Sequence, residues 1–412
     1  MKTPSRSRLR IAFQGYGSTT WEAGNTFFQD LFVALERLGS ERPEVVLVKW
    51  RGTTDNDYGA LLSYADRILT APYPSAQSVN ARANTRRLGI PKRLTLACGG
   101  NRSPQRATNS LQHNQIDCSF SVPFEHRSDW SVPLAILVFD LMSHHHPDWF
   151  TPPEVHARAQ TLARETKGAT LLVAKSQSVL NDLQAFAPDC APRVRLLNWV
   201  AHIPPEVYQD DPARVVTQYH LPAKFFYLPN HFWQHKNHMA VLDALEQLAP
   251  REIYPVVVCT GGLIDQYHPQ HLNQLVREIS ARNLRDQFII LGRVPRADVY
   301  ALMRQSICVL NPSQFEGFGM SAAEAHSLGK RALLANLPAL REQALPDAVY
   351  FDPHDAQDLA TKMEALWLTC APGPDLARET QARALLPQRQ EIFARRFVNI
   401  MAEACALSPN AH

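Results

Sequence analysis

Short apolar runs alternate with longer stretches of helical period along most of the chain, and this alternation narrows the accessible folds more than any other feature. Strands separated by helical crossovers pair in parallel and build α/β layers. The pattern predicts strands at residues 9–14, 45–50, 66–70, 94–98, 134–140, 170–174 and 194–197, with helices near 26–38, 153–165 and 178–186. Pro204, Pro205 and residues 210–212 then interrupt the rhythm and read as a linker. A second series follows, with strands at 225–228, 255–259, 287–291, 307–310, 331–335 and 349–351, and helices at 238–248, after Gly319, at 358–368 and at 381–406. At about 150 residues per domain, 412 residues accommodate this arrangement. The expected domains are residues 1–205 and 206–375, with a helical segment, 376–412, packing back on the first.

Composition removes several function classes. Apolar residues make up 45% and charged residues 20%, enough apolar surface to offset chain entropy and exclude wholesale disorder. A formal charge of +3 does not describe a general polyanion binder. The seven cysteines (98, 118, 190, 259, 308, 370 and 405) are odd in number and contain no C-x-x-C pair. They suit a reducing compartment better than a disulfide framework or a zinc ribbon. The basic start MKTPSRSRLR leads into IAFQGYG without an apolar signal-peptide core. No apolar run approaches the length of a membrane span. The expectation is a cytoplasmic enzyme or binding protein.

The stretch 307–335, ICVLNPSQFEGFGMSAAEAHSLGKRALLA, is the richest in chemistry. An apolar strand runs into Asn311-Pro312-Ser313, where proline ends regular pairing. Glu316-Gly317-Phe318-Gly319 then opens a helix that carries Glu324. The glycines permit close approach of a ligand, and unpaired N–H groups at a helix start favour an anion or a hydroxyl-rich group. Eight helical residues rise about 12 Å, so Glu316 and Glu324 are too far apart to work as an acid–base pair on one bond. They could hold two separate diols of one elongated ligand, such as a sugar and a ribose. The same spacing also fits a solvated helix start with two surface glutamates.

These residues resemble the E-x7-E motif of the retaining glycosyltransferases of family 4, and the flanking run LGRVPRADVYALMRQSICVLNPSQFEGFG is similar to that family without a gap. Residues 227–245, YLPNHFWQHKNHMAVLDAL, resemble the family's strand–loop–helix with a phosphate-binding lysine. Residues 138–154, VFDLMSHHHPDWFTPPE, are similar to a segment of its first domain. The resemblance implies a GT-B fold: two Rossmann-like domains facing across a cleft, with the acceptor on the first and a nucleotide-sugar on the second. By position, Glu316 would bind donor-sugar hydroxyls with the backbone N–H groups of Gly317, Phe318 and Gly319. Glu324 would hold the ribose, Lys236 the diphosphate, and Asn237 would belong to the same donor site. Asp140 matches the family's aspartate. Phe139 stands where many members have histidine, leaving His144 or His145 to substitute. The family's arginine ahead of the lysine is also missing, and Arg293 is the candidate replacement.

His144-His145-His146 invites a metal, but adjacent histidines diverge and no acid or cysteine completes a set. His231 and His235 lack the glutamate and the helix of a zinc-hydrolase motif. Gly15, Gly17 and Gly24 follow the first strand without the dinucleotide spacing; in a GT-B protein this loop, with Gly24, would face the diphosphate. From Arg67 to residue 116 there is no acidic residue, while Arg86, Arg87, Lys92 and Arg93 lie within that run. Such a patch attracts an anionic membrane face or a lipid-diphosphate acceptor; it also reads as a solvated basic face. No aromatic-interleaved motif supports nucleic acid. Trp130, Trp149 and Trp233 could stack on sugars or fill cores. The expected function is transfer of a hexosyl unit, with retention, from a nucleotide-sugar to a glycan or lipid-linked acceptor during surface polysaccharide assembly, without metal or other cofactor. The alternatives are a non-catalytic sugar-nucleotide-binding protein and another GT-B enzyme such as a sugar-nucleotide epimerase.

Overall fold

The computed structural model describes residues 8–14, 22–71, 111, 113–122 and 132–407. The chain divides into two compact units: residues 1–175, 179–199 and 390–412 form the first, and 176–178 with 200–389 the second. The division therefore falls after Trp199, ahead of the proline pair chosen from sequence, and after Arg389, inside the last helix.

The first unit contains a seven-stranded sheet: β1 (Arg10–Gln14), β2 (Glu44–Trp50), β3 (Arg67–Ala71), β4 (Cys118–Ser121), β5 (Leu134–Val138), β6 (Leu171–Ala174) and β7 (Val194–Leu196). Their order is β3-β2-β1-β4-β5-β6-β7, and every pairing is parallel. Burial on both faces explains the near-continuous apolar sequences of β2 and β5. β4 has no such run: CSFS alternates serine with a larger side chain, yet all four residues are buried. That polarity hid it from the apolar pattern. The strand expected at 94–98 lies outside the described residues.

Phe13 on β1 centres an aromatic cluster, edge-on to Phe32 at 4.9 Å and stacked with Phe397 at 5.8 Å. Phe397 and Phe393 belong to the long helix Leu376–Ala406, whose final part is thus a core element of the first unit. Arg195 on β7 pairs with Glu403 of that helix. The helix Glu22–Glu36 begins earlier than the sequence pattern suggests, so Gly24 sits buried in its first turn instead of in the preceding loop.

The second unit has a six-stranded parallel sheet in the order β10-β9-β8-β11-β12-β13. Its strands are β8 (Phe226–Leu228), β9 (Val257–Thr260), β10 (Phe288–Gly292), β11 (Cys308–Asn311), β12 (Ala332–Ala335) and β13 (Val349–Phe351). The strand order reverses between β8 and β11, and such switch points are where open α/β sheets bind ligands, beyond the carboxyl ends of the strands. One buried ion pair braces this unit. The guanidinium of Arg304 meets Glu379 in a two-pronged contact at 2.8 and 3.0 Å and also donates to the carbonyls of Val207 and Asp210.

With both partners buried, removing one leaves an uncompensated charge. Glu379→Ala should therefore lower stability by about 3 kcal/mol, against roughly 1 kcal/mol or less for a surface pair. Equilibrium urea unfolding measures the difference, and a loss in the surface range would contradict a bracing role for the pair.

Candidate functional site

The carboxyl ends of β8 and β11 bring together two of the side chains singled out from sequence, Lys236 and Glu316. Beyond β8 the chain passes through a single tight turn, Gln234–Lys236, into the helix His238–Leu248. Asn237 joins turn to helix with φ at 58°, in the left-handed region that asparagine tolerates better than most residues. Its side-chain amide donates to the carbonyls of Pro312 and Pro353, each at 3.0 Å. Both amide hydrogens are thus committed to the protein. Asn237 thus ties the β8 loop to the loops beyond β11 and β13, next to Lys236.

Lys236 Nζ donates to Glu316 Oε1 at 2.6 Å. The same oxygen accepts from Ser313 Oγ at 2.7 Å and from Asn311 Nδ2 at 3.3 Å. Asn311 Nδ2 also donates to Ser321 Oγ. Among the described residues, every hydrogen bond to this carboxylate falls on Oε1, leaving Oε2 as an acceptor. Burial pushes the Glu316 carboxyl up, but Lys236, Ser313 and Asn311 outweigh it and hold it below the ordinary glutamate value. The group therefore stays ionised and resists accepting a proton.

Gly319, with φ at 86°, starts the helix Met320–Leu328; a Cβ there would collide with Leu340. Gly329 ends it with φ at 83°, and a Cβ there would lie 2.5 Å from the carbonyl oxygen of Arg378. The ring of Phe318 is buried, and its carbonyl accepts from Gln343 at 2.9 Å. These constraints fix the loop around Gly317 and the helix that carries Glu324. Glu324 is nearly buried, and its Oε1 is ion-paired with Arg296. Arg296 NH2 also reaches Tyr300 Oη at 3.0 Å. The two carboxylates are alike: each has one oxygen held by a cation and one without a hydrogen bond among the described residues.

Arg293 lies at the end of β10, beside the junction of β8 and β9. The N–H of Gly262 donates to His231 Nδ1 at 2.7 Å, and a Cβ on Gly262 would sit 3.4 Å from Arg293 NH2. This interaction requires a lone pair on Nδ1, so the ring proton of neutral His231 is on Nε2. The imidazole stacks near Trp233, at 5.6 Å.

Within the first unit, Asp140 is exposed just beyond β5, and its Oδ1 accepts from the Met142 N–H at 3.0 Å. The three consecutive histidines diverge. His144 packs near Phe186, His145 Nε2 meets Asp182 Oδ1 at 2.8 Å, and His146 stacks on Trp149 at 3.8 Å. Phe139 carries Lys175 Nζ above its ring at 4.7 Å. Among the described residues no group of three metal-ligating side chains converges. Arg86, Arg87, Lys92 and Arg93 lie outside the described residues, as do Gly15, Gly17 and Trp130. Sequence reading missed Arg296, Tyr300, Asn311, Ser313 and Asp182. Arg296 and Glu324 are 28 positions apart, beyond any local pattern.

Residues 216–372 match the family described as "Glycosyl transferases group 1". The chain is also 32% identical over 151 residues to the serotype-specific mannosyltransferase WbdA of Escherichia coli. That match takes in 36% of this chain and 18% of WbdA, so the chain spans under a fifth of the length of this curated relative. Anabaena Alr3699/HepE in complex with UDP and glucose superposes with a TM-score of 0.64 at 15% identity, over 96% of this chain and all of the other. A glycosyltransferase from Rickettsia africae gives 0.65 at 16%, over 97% and 99%. WaaG, a glycosyltransferase involved in lipopolysaccharide biosynthesis, gives 0.59 at 14%, over 97% and 100%. At such identities these likenesses establish architecture alone. The chain has the GT-B fold of two Rossmann-like units, and its second unit carries a group 1 glycosyl transferase domain.

Proposed function

We propose that this protein is a retaining glycosyltransferase of family 4 that moves a hexosyl unit from a nucleotide-sugar to a hydroxyl of a glycan or lipid-linked acceptor in the assembly of a surface polysaccharide. The observation that carries the reading is the Lys236–Glu316 pair beyond β8 and β11, with one Glu316 oxygen left to accept a hydrogen bond. Glu324 supplies a second carboxylate one helix farther on. Similarity to a mannosyltransferase over 151 residues favours mannose as the hexose.

In this reading Lys236 stabilises the diphosphate as the bond from the anomeric carbon to its leaving oxygen breaks, the step in which preorganised charge contributes most. Glu316 Oε2 accepts from a donor-sugar hydroxyl, and the Gly317–Gly319 backbone approaches the same sugar. Glu324 accepts from the ribose. Arg293 supplies the second positive charge that the β8 loop lacks. The acceptor oxygen attacks the anomeric carbon from the face the leaving group vacates, and its proton passes to the departing phosphate oxygen. Glu316 is an unsuitable nucleophile because its charge is already neutralised by Lys236. No metal enters this scheme. Asp140 and His145, the latter held by Asp182, serve the acceptor side from the first unit. The basic run containing Arg86, Arg87, Lys92 and Arg93 meets an anionic membrane surface or the acceptor's diphosphate.

Incubation with UDP-, GDP-, dTDP- and ADP-hexoses should show slow donor hydrolysis for one of them, breaking the bond from the anomeric carbon to the phosphate oxygen and releasing free sugar and nucleoside diphosphate, and transfer products should keep the donor's anomeric configuration. Lys236→Ala should lower turnover about 100-fold or more. Absence of turnover with every donor, despite nucleotide binding, would favour the non-catalytic reading. The pair also sets a pH signature. Because the folded Glu316 value is depressed, its stabilisation is present above the ordinary glutamate range, near about 4.3, and is lost as pH falls through the lower folded value. Lys236→Met should therefore be less stable than wild type at neutral pH, with the gap closing in acid. Urea unfolding across pH reads this, and a gap independent of pH would contradict it.

A further inference from the structure

The carboxylate assigned above to the ribose is already occupied on one side. Glu324 has a side chain 5% exposed, and Arg296, at 45%, is its ion-pair partner. The contacts that hold the guanidinium there include Glu324 Oε1, Tyr300 Oη at 3.0 Å, and the face of the Tyr300 ring at 4.6 Å. Tyr300 is itself anchored, donating to the carbonyl of His202 at 3.2 Å. Arg296 is therefore positioned in the first turn of the helix Arg296–Gln305, unlike a freely moving surface arginine. A carboxylate can accept from two hydroxyls of a vicinal diol at once, one on each oxygen. With Oε1 on Arg296, only Oε2 is open.

We propose that Arg296 is a specificity-determining latch that competes with one ribose hydroxyl for Glu324. This inference rests on the donor-site reading and deepens it. A ligand offering one hydroxyl uses Oε2 and leaves the latch closed. A ribose offering both must displace the guanidinium, taking a cation away from a nearly buried carboxylate, which is unfavourable. The latch thus reduces the advantage of a ribonucleotide over its 2′-deoxy counterpart. It admits both kinds of nucleoside diphosphate to the same site. Its half-exposed position lets the arginine swing into solvent without disturbing the core.

The test is calorimetric binding of UDP, GDP and ADP, each beside its 2′-deoxy form, to wild type, Arg296→Ala and Tyr300→Phe. Arg296→Ala should tighten the ribonucleotide by about fivefold or more and the deoxy form by less, widening the ratio between them. Tyr300→Phe removes the hydrogen bond from Arg296 to the Tyr300 hydroxyl while keeping Glu324 paired, and should shift the ratio in the same direction by a smaller factor. It carries the test if Arg296→Ala fails to fold, which a thermal melt would reveal. Unchanged or weaker ribonucleotide binding in the variants, or equal tightening of both forms, overturns the latch while leaving the donor site standing. If no nucleotide binds wild type or variant, the donor-site reading falls and the latch with it.

Discussion

The ion pair between Lys236 and Glu316 is the contact on which the site depends. Neither partner is positioned by its own strand. The lysine follows a tight turn beyond β8, and the glutamate sits in the loop beyond β11. Asn237 joins those loops through the carbonyl of Pro312 and ties both to the segment beyond β13 through the carbonyl of Pro353. Parallel pairing of β8 with β11 brings their carboxyl ends together, and the left-handed turn at Asn237 points the lysine across the gap. A lysine side chain 15% exposed and a glutamate side chain 9% exposed are costly apart and stable together, so the pair is held in place by the fold itself.

Much of this was legible in the primary structure. Two series of parallel strands followed from hydrophobic alternation, and the spacing from Glu316 to Glu324 placed one carboxylate in a loop and the other within a helix. Local chemistry reaches only as far as local contacts, however. The Arg296–Glu324 and Arg304–Glu379 pairs join residues brought close only by tertiary folding, and no periodicity marks them. β4 escaped notice because serines face its buried surroundings, where apolar residues were the criterion. Asn237 was visible as part of the loop, but its role depends on two carbonyls supplied from elsewhere in the unit. Gly24 was misplaced because the helix begins before the apolar pattern becomes regular.

The two carboxylates suggest a common principle of the site. In each, one oxygen accepts from a cation of the protein and the other has no hydrogen bond among the described residues. This arrangement keeps both groups ionised without spending all their hydrogen-bonding capacity on the fold. In the proposed reading, Lys236 beside Glu316 would also meet the diphosphate, whereas Arg296 beside Glu324 would compete with the ligand. On that reading, a rigid pair at one end and a displaceable pair at the other would let one elongated donor be oriented while its nucleoside is still sampled.

The most direct measurement is calorimetric comparison of nucleoside diphosphate with the corresponding monophosphate on wild type and Lys236→Ala. If Lys236 receives the diphosphate, wild type binds the diphosphate more tightly and the variant loses most of that preference. A preference that persists unchanged without Lys236 would contradict the central claim.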